Sequence, residues 1–343
     1  MGLFNSFFCL SMQDPFEFII CTPIVPIYPV EERYLVEYVD KGINDILTLN
    51  EKLEIEISGI GVFKINVLTL PDDPSINETF PFSSHVLIFR LLVPNEAAKI
   101  EISDSHDQPT SLEDRLALFK KQIAEEFKYQ VFHLLVLSNI ASPGAIKTRE
   151  GLILLNRKKY DSFPSIYSIH RESLDHIKAL KWPTYNTLPI LRIWDWFKIN
   201  NFSFHYHSKT KVSRALNAFT YLFNDDPGNL IFDLFWSLIG IEALYCTSKE
   251  GISEQIYEKV QLVLGPVLES KKKIKNMYSF RSRLIHGDLD IPPNNFDYDD
   301  PDEEKFQKGL FNATILAAAI LTVTLQEMVL QNRSDLNFTY GLD

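Results

Sequence analysis

The chain has 343 residues, 45% of them hydrophobic and 23% charged, an ordinary globular composition that excludes wholesale disorder. At about twice the usual length of one domain, two domains are expected. Lys and Arg number 34 against 45 Asp and Glu; the net charge of −11 excludes coating of nucleic acid through the overall field, though not a small basic site.

The opening MGLFNSFFCL is apolar, but no Lys or Arg precedes Arg33, so the positive start of a secretory signal is missing. Met1-Gly2 with Ser6 fits the myristoylation pattern only loosely, as three of its positions are wildcards. Residues 1 to about 105 read as mostly extended. Phe16–Val30 is β-rich but carries Pro23, Pro26 and Pro29, which predicts an edge strand or an irregular crossing, not a central strand. A helix is predicted over Glu31–Asn50. KLEIEIS, VFKINVLTL and HVLIFRLLV alternate apolar with polar residues or run fully apolar, and they read as strands. Ser103–Ser111 is polar and rich in breakers, which marks a domain boundary.

Helices dominate beyond that point. Ser111 lies three residues before Asp114, an acidic variant of the capping box, and opens a helix to about Ala141. Ser142–Leu188 is less regular and holds one strand, GLILLN. From Pro189 the pattern is helical almost without interruption. Ser208 is placed to cap a helix whose stripe is Val212, Leu216, Phe219 and Phe223. Asp226-Pro227-Gly228 makes a turn, and Asn229 caps IFDLFWSLIGIEALY, whose only charges are Asp233 and Glu242. A helix apolar on nearly every face is buried or pressed against another chain. ISEQIYEKVQLVL follows, stopped by Gly265-Pro266, then SKKKIKNMYSFRSRLIHG, and a last helix spans about Asp302–Leu330. Within it Gly309–Gln326 is the longest uncharged run. Asn312, Thr314, Thr322, Thr324 and Gln326 dilute it, so a buried helix is expected in place of a membrane span. The expected fold class is α+β: a β-rich domain over residues 1–105, a helical and irregular connection over 106–189, and an all-α bundle over 190–343.

Cys9, Cys21 and Cys246 are too few and too scattered for a disulfide framework or a zinc site. Free, sheltered thiols in a reducing cytoplasm are expected. The chemistry gathers in Lys271–Asp288. Ile274, Met277 or Tyr278, Leu284 and Ile285 recur at helical spacing, and Arg281 falls in line with them. An arginine on a core-facing stripe is costly unless a carboxylate or phosphate pairs with it. His286 stands five positions on, just before the helix terminator Gly287. Arginine with histidine suffices for RNA cleavage without a metal: histidine takes or gives a proton near neutrality, and the guanidinium fork matches phosphate oxygens. One such pair per chain implies two copies meeting across a dimer. Lys271, Lys272, Lys273, Lys275 and Arg283 add a local basic segment where an RNA phosphate would dock.

The run FWSLIGIEALYCTSKEGISEQIYEKVQLVLG, followed by KKKIKNMYSFRSRLIHGDLDIP, resembles the Apea-like branch of the HEPN domains. The likeness is carried by the apolar helix ending IEALY, the connecting helix SEQIYEKVQLVL, and Tyr278–Gly287, which looks like the family's arginine–four–histidine signature. RIWDWFKINNF and SRALNAFTYLF also suit it, so that it covers roughly residues 190–330. The resemblance implies an α-helical bundle, commonly dimeric, and a metal-independent endoribonuclease of toxin–antitoxin, abortive-infection or other antiviral defence systems. It makes Arg281 and His286 the catalytic pair, with Ser282, Glu242 and Tyr278 in support. Ser282 departs from the pattern, which often has Asn, Asp or His there. Glu242 matches the glutamate of the apolar helix, where it orients Arg281 or holds the bundle together. RNA and a second copy are the expected partners, with a trigger ligand or phage protein at the N-terminal domain, and no cofactor, metal or membrane is called for.

Other constellations are weaker. His205 and His207 lack a third metal ligand nearby, and alternation in an extended segment explains them. Asp297, Asp299, Asp300, Asp302, Glu303 and Glu304 precede the last helix, where acids answer the helix dipole without a metal. No phosphate-binding loop, GxSxG elbow or HExxH occurs. Two functional classes follow: a homodimeric HEPN ribonuclease, or a catalytically inactive HEPN module that dimerises or binds nucleic acid.

Overall fold

The computed structural model describes residues 15–25, 33–50, 52–57, 61–69, 80, 85–94, 111–167, 170, 182–202, 204, 207–223, 229–266, 270–292 and 300–338. The sequence-level readings at Met1–Ser6, Cys9, residues 103–110, residues 226–228, His205, Asp297 and Asp299 lie outside them. The chain is mixed α+β and divides into two compact units, each drawn from several stretches of sequence.

The first unit holds residues 1–23, 49–131 and 150–163. Its six strands are β1 (Phe16–Pro23), β2 (Leu53–Ile57), β3 (Gly61–Thr69), β4 (Val86–Val93), β5 (Gly151–Leu155) and β6 (Lys158–Phe163). They form one antiparallel sheet in the order β2-β3-β4-β1-β5-β6. β1 is therefore central, against the edge position predicted for it. The reason is local: Phe16–Thr22 contains no proline, and Pro23 stands at the last ladder position, so both sides of the strand can pair. Gly151 lets β5 lie this close to β1, since a Cβ there would collide with the Cys21 carbonyl oxygen. On one face Ile19, Cys21, Val86 and Ile88 form a buried cluster. Phe16, which meets Phe119 with ring centroids 6.4 Å apart, is buried too, as is Phe18. Phe119 belongs to α2 (Leu112–Ala141), where Ser111 and Asp114 close the predicted capping box: Asp114 N donates to Ser111 Oγ at 3.1 Å and Ser111 N to Asp114 Oδ2 at 3.2 Å.

The second unit holds residues 24–48, 132–149 and 164–343. Its helices are α1 (Arg33–Leu47), the end of α2, α3 (Ile190–Ile199), α4 (Lys211–Thr220), α5 (Leu230–Tyr245), α6 (Ile252–Leu264), α7 (Ser270–His286) and α8 (Pro301–Leu330). A single 3₁₀ turn, Tyr221–Phe223, extends α4. The cap of α4 is Thr210, two residues after the predicted Ser208, with its hydroxyl accepting from Ser213 N. Asn229 caps α5 as expected.

α8 is the centre of this unit. It is the one described helix long and apolar enough to cross a membrane, and 89% of that apolar window is buried inside the protein. The polar residues that dilute it are the ties to its neighbours. Thr314 Oγ1 donates to Leu230 O (3.0 Å), Thr324 Oγ1 meets Tyr245 Oη (2.7 Å), and Gln326 Nε2 donates to Ile140 O and Asn186 O (2.7 Å each). Gly240 of α5 packs directly on Leu321, and any side chain there would press into it.

Thr322 Oγ1 lies 2.7 Å from Nε2 of His170, a fully buried imidazole ringed by Tyr185, Phe219 and Phe223. Burial pulls the His170 pKa down to about 4, so the ring is neutral in the fold, whereas an exposed histidine in the unfolded chain titrates near 6.5. Below pH 6.5 the unfolded chain takes up a proton that the fold refuses, so stability present at pH 7 is lost as pH falls from 6.5 to 4. The loss attributable to this ring is about 3 kcal/mol. Urea unfolding of wild type and His170→Phe at pH 7 and pH 4.5 checks it: the wild type should lose more.

Candidate functional site

The site residues sit on two helices of the bundle. α7 forms because Ile274, Met277, Tyr278 and Leu284 repeat at helical spacing and bury themselves, and Gly287 ends it in the left-handed conformation (φ 73°). α8 fixes its position: Phe280 meets Phe306 with ring centroids 5.8 Å apart and lies over Gly309. Ile285, predicted on the core stripe, is 47% exposed instead. It falls at the end of the helix, beside the buried Leu284 but turned outward.

Arg281, predicted in line with the buried stripe, stands at its border. It is half-buried, and its Nε is sealed from solvent with no hydrogen-bond partner among the described residues. The compensating charge is Glu242 on α5. Burial pushes the Glu242 carboxyl above the ordinary carboxylate range, and the Arg281 guanidinium and then the Tyr278 hydroxyl pull it back. Tyr278 is buried, and burial followed by the Glu242 charge raises its phenol well above the usual value. The structure thus brings together Glu242, Tyr278 and Arg281 as one electrostatic cluster. Cys246, one turn beyond Glu242, is half-buried, and burial and then the Glu242 charge push its thiol up to about 11. It is a sheltered thiol, not a reactive one. Cys21 is buried.

His286 is exposed at the last position of α7, and Ser282 is exposed one turn earlier. Five helical steps put His286 about 7.5 Å along the axis from Arg281 and about 140° around it. The two side chains of one chain therefore leave the helix in divergent directions.

The basic residues are spread out. Lys271, Lys272, Lys275 and Arg283 are exposed and Lys273 is half-buried. At 100° per residue, Lys271, Lys272, Lys275 and Arg283 lie within about 60° of His286 around the helix, and Lys273 about 140° away. Lys275 is about 16 Å along the helix from His286, so the lysines reach phosphates other than the one at the histidine. Lys271 pairs with Glu254 (3.2 Å) and covers the Tyr257 ring (5.0 Å), and Arg283 Nη2 donates to Asp288 O (3.2 Å). The first pairing is exposed on both sides and weak.

One feature escaped the sequence reading, and a second was foreseen only as a helix buried or pressed against another chain. Lys259 of α6 is 1% exposed, and its ammonium donates to Tyr245 O (2.7 Å), the last residue of α5. It caps that helix from outside, and its burial lowers its pKa. Its place between Ile256 and Val260 on a buried stripe was the signal available in the sequence. The second is a face of α5. Phe232 (59%) and Ile239 (47%) are exposed, with Phe235 and Trp236 half-buried beside them and Tyr221 stacked on Trp236 at 3.8 Å. Helix geometry puts Phe235 and Ile239 on the side of Glu242, so this apolar face runs up to the Arg281 cluster.

Elsewhere, His207 is exposed, and no group of three metal-ligating side chains occurs among the described residues. Asp300 caps α8, with Asp302, Glu303 and Glu304 in its first turn, where acids favour the helix dipole. No family model, curated protein or solved structure matches this chain.

Proposed function

We propose that the chain is a metal-independent endoribonuclease of the HEPN type that works as a homodimer. The observation that carries the reading is the placement of Arg281 and His286: a sheltered guanidinium backed by Glu242, and an exposed imidazole on the same helix but about 140° away. One chain has the right groups in a divergent arrangement, and a second copy across the apolar α5 face supplies the missing halves. Phe232, Ile239 and Ile285, all exposed, suit burial at such an interface.

In the composite site the histidine of one protomer takes the 2′-hydroxyl proton as the oxygen attacks phosphorus. The guanidinium forks stabilise the phosphorane, and the partner protomer's imidazole protonates the departing 5′-oxygen. The products carry 2′,3′-cyclic phosphate and 5′-hydroxyl ends. Lys271 and Lys275 contact phosphates farther along the strand. The biological setting that fits is a cytoplasmic toxin or abortive-infection effector in anti-phage defence, with the β-rich unit receiving the trigger.

The test is incubation of purified protein with mixed RNA in excess EDTA, beside Arg281→Ala, and analysis of the product ends, with toxicity on overexpression compared in parallel. Cyclic phosphate ends from wild type only, and an Ile239→Asp variant that is monomeric by light scattering and inactive, are the expected results. RNA left intact and cells left unharmed by wild type and variant alike would leave the non-catalytic scaffold as the reading.

A further inference from the structure

The second unit carries a group of aromatic rings that its core does not close over. Asn200 ends α3, and Asn201 follows in the left-handed conformation (φ 52°), which turns the chain back on the helix. Phe202 then meets the buried Trp196, ring centroids 4.9 Å apart. Two residues on, Phe204 meets Phe197 of α3 at 4.9 Å with the ring planes 26° apart, and His133 of α2 at 4.5 Å and 36°. These three rings are half-exposed, whereas the Phe219–Phe223 pair of the same unit is fully buried. The charge of the surrounding sequence has one sign. No Asp or Glu occurs between Asp195 and Asp225, a stretch that holds Lys198, Lys209, Lys211 and Arg214. Lys198, Lys209 and Arg214 are exposed. In a chain of net charge −11, cations beside open ring faces complement phosphates and bases, not an apolar protein surface. A duplex hides its base faces, so the matching strand is a single one.

We propose that His133, Phe204 and Phe197 form a stacking platform for unpaired bases of single-stranded RNA, with the cations from Lys209 to Arg214 holding the adjoining phosphates. The ribonuclease reading supplies only the choice of RNA over DNA. The platform lies apart from Arg281 and His286, and the chain leads from one to the other. α4 and α5 pack together through a short connection, so the start of α4 lies beside the end of α5. Lys211 there bears on Cys246, one turn beyond Glu242. A strand seated on the rings and tracking Lys209 and Lys211 is directed toward the end of α5 that faces Arg281.

The test measures binding of a fluorescent single-stranded oligoadenylate by anisotropy, using full-length His286→Ala protein so that the RNA stays whole. Adding Phe204→Leu, which keeps an apolar side chain but removes the ring face, should weaken binding about tenfold. It should leave binding of the same strand annealed to its complement unchanged. Phe204→Tyr should bind as tightly as phenylalanine, which separates a lost ring face from a loosened segment. Lys209→Gln should lower the slope of log affinity against log salt by about 0.7. Equal single-strand affinity with and without Phe204→Leu, a matching loss for the duplex, or no binding of the strand at all would overturn the proposal. So would a Phe204→Leu protein that loses a dimer in light scattering while its RNA affinity stays the same, since the rings then serve a second copy. A DNA strand held more tightly than the RNA would overturn the choice of RNA. Wild-type protein that leaves RNA intact in the EDTA assay sinks the ribonuclease reading, while the same affinities, measured on wild type, still decide the platform.

Discussion

His286→Ala is expected to cleave RNA about 10²–10⁴-fold more slowly than wild type, with a melting temperature that barely moves. The imidazole is exposed at the end of α7, so its removal costs the fold little. The chemical loss is large because alanine offers no group to take or give the proton that general acid–base cleavage requires. Arg281→Ala should lose cleavage on a similar scale and lose stability as well. Removing the guanidinium leaves Glu242 half-buried with its countercharge gone, a cost of about 1–3 kcal/mol unless the carboxyl takes up a proton. The double variant should be scarcely slower than either single one, because groups acting on one transition state fail together. Single-turnover rates and thermal melts on the three variants check all of this. A His286→Ala protein as active as wild type would remove the imidazole from the mechanism.

The largest expected loss of stability comes from Gln326→Leu. The side chain is fully buried, and its amide makes three hydrogen bonds: Nε2 to the carbonyls of Ile140 and Asn186, and Oε1 from the amide of Asn186. Leucine fills similar space but leaves the buried Ile140 carbonyl and the part-buried Asn186 carbonyl and N–H without this partner, at up to about 1–3 kcal/mol each before any relaxation. The melting temperature should fall by on the order of 10 °C. By contrast, Gln331→Leu just beyond the same helix, where the side chain is exposed, should change stability by less than about 0.5 kcal/mol. Thermal melts of the two variants, measured side by side, distinguish a structural tie from a general dislike of leucine.

Local signals in this chain were legible where the cause is local. The Ser111–Asp114 box, the Asn229 cap and the glycine stop after His286 all act within one turn, and the elements they bound are where the residues put them. β1 was misread because prolines at one end of a segment were allowed to characterise all of it. β6 went unread: Lys158–Phe163 is exposed almost throughout, carries no apolar alternation, and is held by pairing with β5. At the site, Arg281 in line with a buried stripe announced its need for a carboxylate, and Glu242 was identifiable as one of only two charges on its helix. Lys273 was misleading, because adjacency in sequence is not adjacency around a helix. Nor could spacing alone show that Ile285 and Ile239 would stand uncovered.

The central place of α8 has a consequence for the order of events during synthesis. A ribosome that has released the chain as far as Gly287 has already made Glu242, Tyr278, Arg281 and His286, every residue of the candidate site. It has not made Phe306 and Gly309, against which Phe280 sets α7, nor Thr314 and Thr324, which tie α5 in place. Domains fold as units once their core is complete, and this core is completed by Pro301–Leu330. The nascent chain therefore carries its chemistry in an unassembled form while it is still attached to the RNA-rich machine that makes it.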